Sequence, residues 1–378
     1  MRRPVQRTRI LLLVALGLAL VWEGDRRTVP PLPSSLRVSL RLEKRLTLRD
    51  LRPPLSLPVG PPRFRLDRAD HALHTGPSEC LLVQIRTMMI GNPLLWHTVV
   101  LDTRTWQRRA CWPDTRFWPE GYAAEHNQLV VYQPDELQVR NVRTGRRIGK
   151  IPLPPAEPHT DGIHGIVVNP SATRCYVTRR LPGDVWARWP QWEYVLPHSP
   201  GRPLRLPGML VREASRGEGR YLSVSAGGWG GGGVELLEPA TGRRRNNPAV
   251  NHAWSGVFLG EHGFLGVERE RWLTRFRVPD LMREEIRLLP TGCEIRTPLV
   301  AARDGRLAGV VVRQEERTWL QLWRTRPLEK VAETLLPVWP NYWTMAPDAS
   351  HIVTGTWTGE VSVFRIQWSD SGEPSRKK

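Results

Sequence analysis

Apolar and polar residues alternate with a period of two along much of this chain, the pattern of strands that bury a face. The clearest stretch is Trp343 to Ile366, WTMAPDASHIVTGTWTGEVSVFRI. Ala346-Pro347-Asp348-Ala349-Ser350 predicts a turn, since proline presets φ and the Asp and Ser side chains close the loop. His351 to Thr356 is a short β-branched strand, Thr358-Gly359 a tight hairpin, and Val361-Ser362-Val363-Phe364 a half-buried strand.

The same strand-turn-strand unit recurs upstream. Its strands are Thr98 to Thr103, Leu137 to Val142, Trp192 to Leu196, Val234 to Glu238, Leu273 to Val278 and Trp319 to Arg324, with Val361 to Ile366 as the seventh. Turn stretches precede many of them, among them Asn169-Pro170-Ser171, Arg303-Asp304-Gly305 and Pro347-Asp348. Seven units in the 307 residues from Pro62 to Trp368 make about 44 residues each, the length of a four-stranded propeller blade. The third unit is longer, with Leu181 to Trp192 as its insertion, and the first carries one around Met88 to Leu95. One such sheet cannot bury both faces, whereas seven packed around an axis can.

The Pro-Asp turn, the small-residue strand after it, and a strand closing on Phe364-Arg365 in the Trp-Asp place resemble the WD-repeat family in degenerate form. The resemblance implies an all-β, seven-bladed β-propeller over residues 63–368. It also implies a rigid binding platform whose loops and axial channel form the recognition surface. Fold alone does not fix function.

Closure supplies a sharper expectation. A further strand follows the repeat strand in the first six units, for example Arg147 to Leu153, but only twelve polar and charged residues follow Ile366. Leu36-Arg37-Val38-Ser39-Leu40-Arg41-Leu42 alternates strictly and is expected to complete the seventh blade, as N-terminal strands commonly do in WD-repeat propellers.

Ahead of that strand, Arg2, Arg3, Arg7 and Arg9 precede an uncharged run of thirteen residues, Ile10 to Trp22. It predicts an N-terminal apolar helix, either a cleaved signal peptide or an uncleaved anchor. Basic residues on its N-terminal side favour a propeller outside the cytoplasm, membrane-anchored or secreted. Residues 23–35 read as a Pro-rich linker, 36–62 as the closing strand and a Pro-rich connection, and 369–378 as a polar tail.

The net charge is +18, and residues 1–60 hold +8 of it. Only Lys44, Lys150, Lys330, Lys377 and Lys378 are lysine among 55 basic residues, which points to compositional bias toward Arg. A basic chain attracts anionic polymers, but no nucleic-acid fold motif accompanies the charge. The partner expected is a protein or an envelope polymer, with residues 10–22 meeting the membrane.

No convincing catalytic constellation is present. Gly227 to Gly233 is Gly-rich but lacks the Gly-Lys-Ser/Thr ending of a phosphate loop. His159 to His164, with Asp161, brings possible metal-ligand types together without a defined set. Leu101 to Thr105 with Trp112 looks a little like a pyrroloquinoline-quinone propeller motif but occurs once, so no cofactor is assigned. Cys80 and Cys111 are expected on non-adjacent strands of one blade, and Cys175 and Cys293 in blades three and five. That placement predicts four mostly buried thiols outside disulfides. The reading is a non-enzymatic binding propeller, with His164, Trp254, Tyr342 and Trp343 as axial-channel ligand residues. A propeller hydrolase or lyase using channel residues is the alternative.

Overall fold

The computed structural model describes residues 32–370 except 34–35, 52–64, 77–78, 90–94, 135, 154–162, 180–190, 198–200, 205–208, 216–218, 227–233, 246–252, 270 and 296–297. The run Ile10 to Trp22 and the Gly-rich Gly227 to Gly233 lie outside the described residues. No helix among the described residues is long and apolar enough to cross a membrane.

The described residues form seven antiparallel sheets, each of consecutive strands except the last. The innermost strands are Arg65–His74, Arg116–Ala123, Ile163–Val168, Met209–Ala214, Ala253–Leu259, the pair Cys293–Ile295 and Val300–Ala301, and Tyr342–Met345. All seven repeat strands read from the sequence are the third strand of their sheet, counting outward.

Seven apolar clusters fill the seven seams, each drawn from two neighbouring sheets. Every blade therefore buries both faces. This explains the near-continuous apolar runs of the second strands, such as Leu81-Leu82-Val83 and Val310-Val311-Val312, all buried. The ring is complete because Leu81, Val83 and Val99 of the first sheet pack with Val353, Val361 and Val363 of the last.

The closing strand is present and longer than expected. Leu36–Leu46 pairs antiparallel with Val361–Asp370, from Leu36 opposite Asp370 to Leu46 opposite Val361. A bulge places Leu42 opposite Phe364 and Lys44 opposite Val363, leaving Glu43 as the extra residue. One extra residue inverts the side-chain phase. Before the bulge, Leu36, Val38 and Leu40 pack into the seam between the sixth and seventh sheets. After it, Leu46 packs into the seam between the seventh and first, joined by Leu48 and Leu51 of the short helical turn Leu48–Leu51. Strict alternation alone would have kept Leu42 inward; it is 40% exposed, whereas Leu46 is 2% exposed.

No cysteine is in a disulfide. Cys80 and Cys111 lie on the second and fourth strands of the first sheet, as expected, and Cys175 in the third. Cys293 belongs to the sixth sheet, not the fifth. The fifth repeat strand is followed by its outer strand Met282–Leu288, so the chain has crossed into the next blade by residue 293.

Candidate functional site

The first five inner strands share a register irregularity against their second strands. Pairing with the second strand skips Asp70, the four residues Trp118 to Gly121, His164, Arg212 and Trp254 in the first five sheets. In the sixth it breaks between Ile295 and Val300. A bulge re-aims the extra residue, and in an innermost strand the free direction is the propeller axis. A Cβ built on Gly165, next to His164, would meet nothing within 4 Å. Open space therefore lies beside that strand.

Glu120 and Arg212 define the channel chemistry. Both are reached by solvent, yet protein surrounds both, the combination expected inside a channel. They come from the second and fourth sheets and attract each other electrostatically. Burial raises the Glu120 carboxyl, opposed by its own backbone N–H and then by Arg212. Burial lowers the Arg212 guanidinium, opposed by Glu120.

A second group lies toward the first and seventh sheets. Asp70 Oδ2 is 3.5 Å from Arg86 Nε. Burial raises its carboxyl, and Arg86, Arg116 and Arg68 pull the other way. Arg116 is stacked between Trp96 and Trp118, 4.5 Å from each ring, and Arg86 covers Trp96 at 5.5 Å. Such cation–π contacts hold a guanidinium rigidly where water is scarce. Arg116 Nη1 donates to Ile163 O at 3.0 Å, linking the second blade to the third. Burial brings Arg116 down to about 10, with Asp70 opposing. Its Nε is buried without a hydrogen-bond partner.

His71 follows the first bulge, and its ring lies 6.4 Å from that of Tyr342 and 6.5 Å from Phe117. Burial, then Arg116 and His164, push its pKa down to about 3, so His71 is a neutral imidazole at physiological pH. Arg116 and His164 stand at the first or second residue of their inner strands, at one end of the ring, whereas Tyr342, also first in its strand, packs in the seam of the seventh and first sheets.

The structure thus brings His164 and Tyr342 to this group. The Tyr342 hydroxyl is buried without a hydrogen-bond partner, and burial, then Asp70, raise its pKa. Trp254 holds the bulge position equivalent to His164 and Arg212. Trp343 lies elsewhere, packed in the seam of the sixth and seventh sheets against Gly309. Among the described residues no group of three or more His, Cys, Asp or Glu is placed to hold a metal ion. Of His159 to His164, residues 159–162 lie outside the described residues.

Asp70, Arg116, Glu120 and Arg212 were not singled out from the sequence. The available signal was weak: a charge inside an apolar strand, as in Met209-Leu210-Val211-Arg212, and Pro119 and Gly121 flanking Glu120. Pro and Gly within a strand mark a bulge.

No protein-family model matches the sequence, and no curated protein matches it. Solved structures do. The β-propeller domain of Myceliophteria thermophila Cps50 (Swd1) is similar with a TM-score of 0.55 and 10% sequence identity, over 79% of this chain and 96% of that one. The WD40 repeats of RRP9 are similar with a TM-score of 0.55 and 8% identity, over 81% and 96%. The fold is that of a WD40-type β-propeller. In this seven-bladed propeller the inner-strand bulges carry both signs of charge.

Proposed function

We propose that this propeller is a non-enzymatic binding platform that takes a segment of a partner protein at the mouth of its axial channel. One observation carries the reading: Glu120 and Arg212, at inner-strand bulges of the second and fourth sheets, are reached by solvent, surrounded by protein and attract each other electrostatically. Enclosed charges of opposite sign on different blades form a site for a bipolar group such as a peptide backbone or a polar side chain. Arg116, fixed between two indoles, adds a guanidinium at the start of the second inner strand. The test is affinity capture from intact cells with the native chain and with Glu120→Gln and Arg212→Gln. Loss of the same partner in both variants, with unchanged thermal stability, supports the reading. Undiminished capture by both removes it.

The basic n-region and the uncharged run Ile10 to Trp22 support a location at the cell envelope, anchored or secreted, with the propeller on the extracytoplasmic side. Fractionation with N-terminal sequencing tests this; a cytosolic chain with residues 1–35 intact overturns it. A second reading, a hydrolase or lyase, is favoured by Asp70 and Glu120, two carboxyls raised by burial, the first of them next to His71. It predicts turnover abolished in Glu120→Gln while partner capture persists.

A further inference from the structure

Three guanidiniums gather around one carboxylate where the first blade meets the second. Arg68 and Arg86 stand directly opposite each other on the first two strands of the first sheet, so their side chains leave the same face. Arg116 opens the inner strand of the second sheet. All three attract Asp70, the extra residue of the first bulge, and all four residues are half-buried. Among the charged groups acting on Arg116, Asp70 is the carboxylate and Arg86 the opposing cation. Glu120, farther along the same inner strand, has Arg212 as its charged neighbour. His71 is neutral, and a proton on His164 would only add positive charge. Three cations and one anion leave two positive charges unbalanced.

Like charges directly opposite destabilise a sheet, yet two of these cations are held in place. Asp70 fixes Arg86 at Nε, 3.5 Å away, and Arg86 covers Trp96 at 5.5 Å. Arg116 lies between Trp96 and Trp118, 4.5 Å from each, and its Nη1 donates to Ile163 O at 3.0 Å. That is the one hydrogen bond of its guanidinium among the described residues. Positioned guanidinium donors match the oxygens of a phosphate, and little rotamer freedom remains to be lost on binding.

We propose that this cluster binds a doubly charged oxyanion, a phosphate group, with Arg116 donating to its oxygens and Arg86 and Arg68 supplying the balancing charge. A carboxylate would neutralise one of the two excess charges, whereas a phosphate monoester carries about two. The inference rests on the binding-platform reading in that the phosphate belongs to the partner segment, but the site itself takes the free ion.

The test is calorimetric titration of the full chain with inorganic phosphate at low salt, beside acetate as the singly charged control. Saturable phosphate binding is expected, with acetate about tenfold weaker or more. Arg116→Gln should weaken phosphate by about tenfold, the loss of a charge-assisted hydrogen bond. Arg68→Gln should weaken it by about threefold through lost charge alone. The Arg68→Gln chain should also be at least as stable as the native one, having lost a like-charge pair, so it decides the matter should Arg116→Gln fail to fold. Absence of saturable phosphate binding, or equal binding by native and Arg68→Gln chains, overturns the proposal. So does binding that appears only after Glu157→Gln and Asp161→Asn, because the chain then supplies its own anion. Partner capture by a chain that binds no phosphate removes this inference and leaves the platform reading. Phosphate binding without any partner capture does the reverse.

Discussion

Lowering the pH perturbs this fold at an identifiable place. His74 is 2% exposed, and burial, then the stacked His351, then Arg365 push its pKa down to about 3. The unfolded chain protonates the same side chain near 6.5. Between those values the unfolded state binds a proton that the folded state does not, so stability falls as pH falls. The slope is about 1.4 kcal/mol per pH unit, or roughly 2 kcal/mol lost between pH 6.5 and 5 from His74 alone. His71, also near 3, acts in the same direction. Asp70 and Glu120 oppose both, because their raised carboxyls favour the folded state as pH falls.

Comparing wild type with His74→Gln cancels these shared terms. The assay is urea unfolding followed by Trp fluorescence at about pH 7, 6 and 5. The variant is expected to be the less stable chain at pH 7, having disturbed the bond to Gly76 N–H. The gap between the two chains should close by about 1.4 kcal/mol for each pH unit below 6. Parallel profiles would refute the reasoning, since they would mean that folded His74 takes up its proton as readily as the unfolded chain.

Three substitutions test other parts of the structure. Leu46→Ala should destabilise by about 2–5 kcal/mol in thermal or urea unfolding, while Leu42→Ala, on the exposed side of the bulge, should stay within about 0.5 kcal/mol. Gly76→Ala should cost about 1–3 kcal/mol or more, because φ is +57° and the new Cβ would sit 2.8 Å from the Asp348 carboxylate. Glu268→Gln should cost about 1–3 kcal/mol, since this buried carboxylate accepts from Thr274 at 2.6 Å and from the solvent-exposed Arg283 at 2.6 Å.

The sequence carried the repeat because hairpin chemistry is local. Thr144-Gly145 and Thr241-Gly242 put glycine where φ is +70°, and each follows a repeat strand directly. Ring closure was also legible, because Leu36 to Leu42 alternates and the seventh unit lacks an outer strand. The bulge at Glu43 was not, since phase inversion depends on which seam receives each side chain, a relation between residues more than 300 positions apart. The channel was harder still. His164 and Tyr342 were noticed as polar or aromatic residues at strand starts, whereas Asp70, Glu120 and Arg212 gain their meaning only when bulges on different blades face one axis. Trp343, two residues before its strand ends, looked like Tyr342 in sequence, but alternation sends it into the opposite seam.

The central claim is that the axial channel is the binding site, and a photo-crosslinking side chain at position 165 tests it most directly. A Cβ at Gly165 would meet nothing within 4 Å, so a probe there sits beside His164 without displacing a neighbour. A matched probe replaces Ile148, which is exposed on an outer strand. The account predicts a discrete partner adduct from position 165 that disappears with Glu120→Gln or Arg212→Gln. Adducts formed only from position 148, or adducts at 165 indifferent to both substitutions, would contradict it.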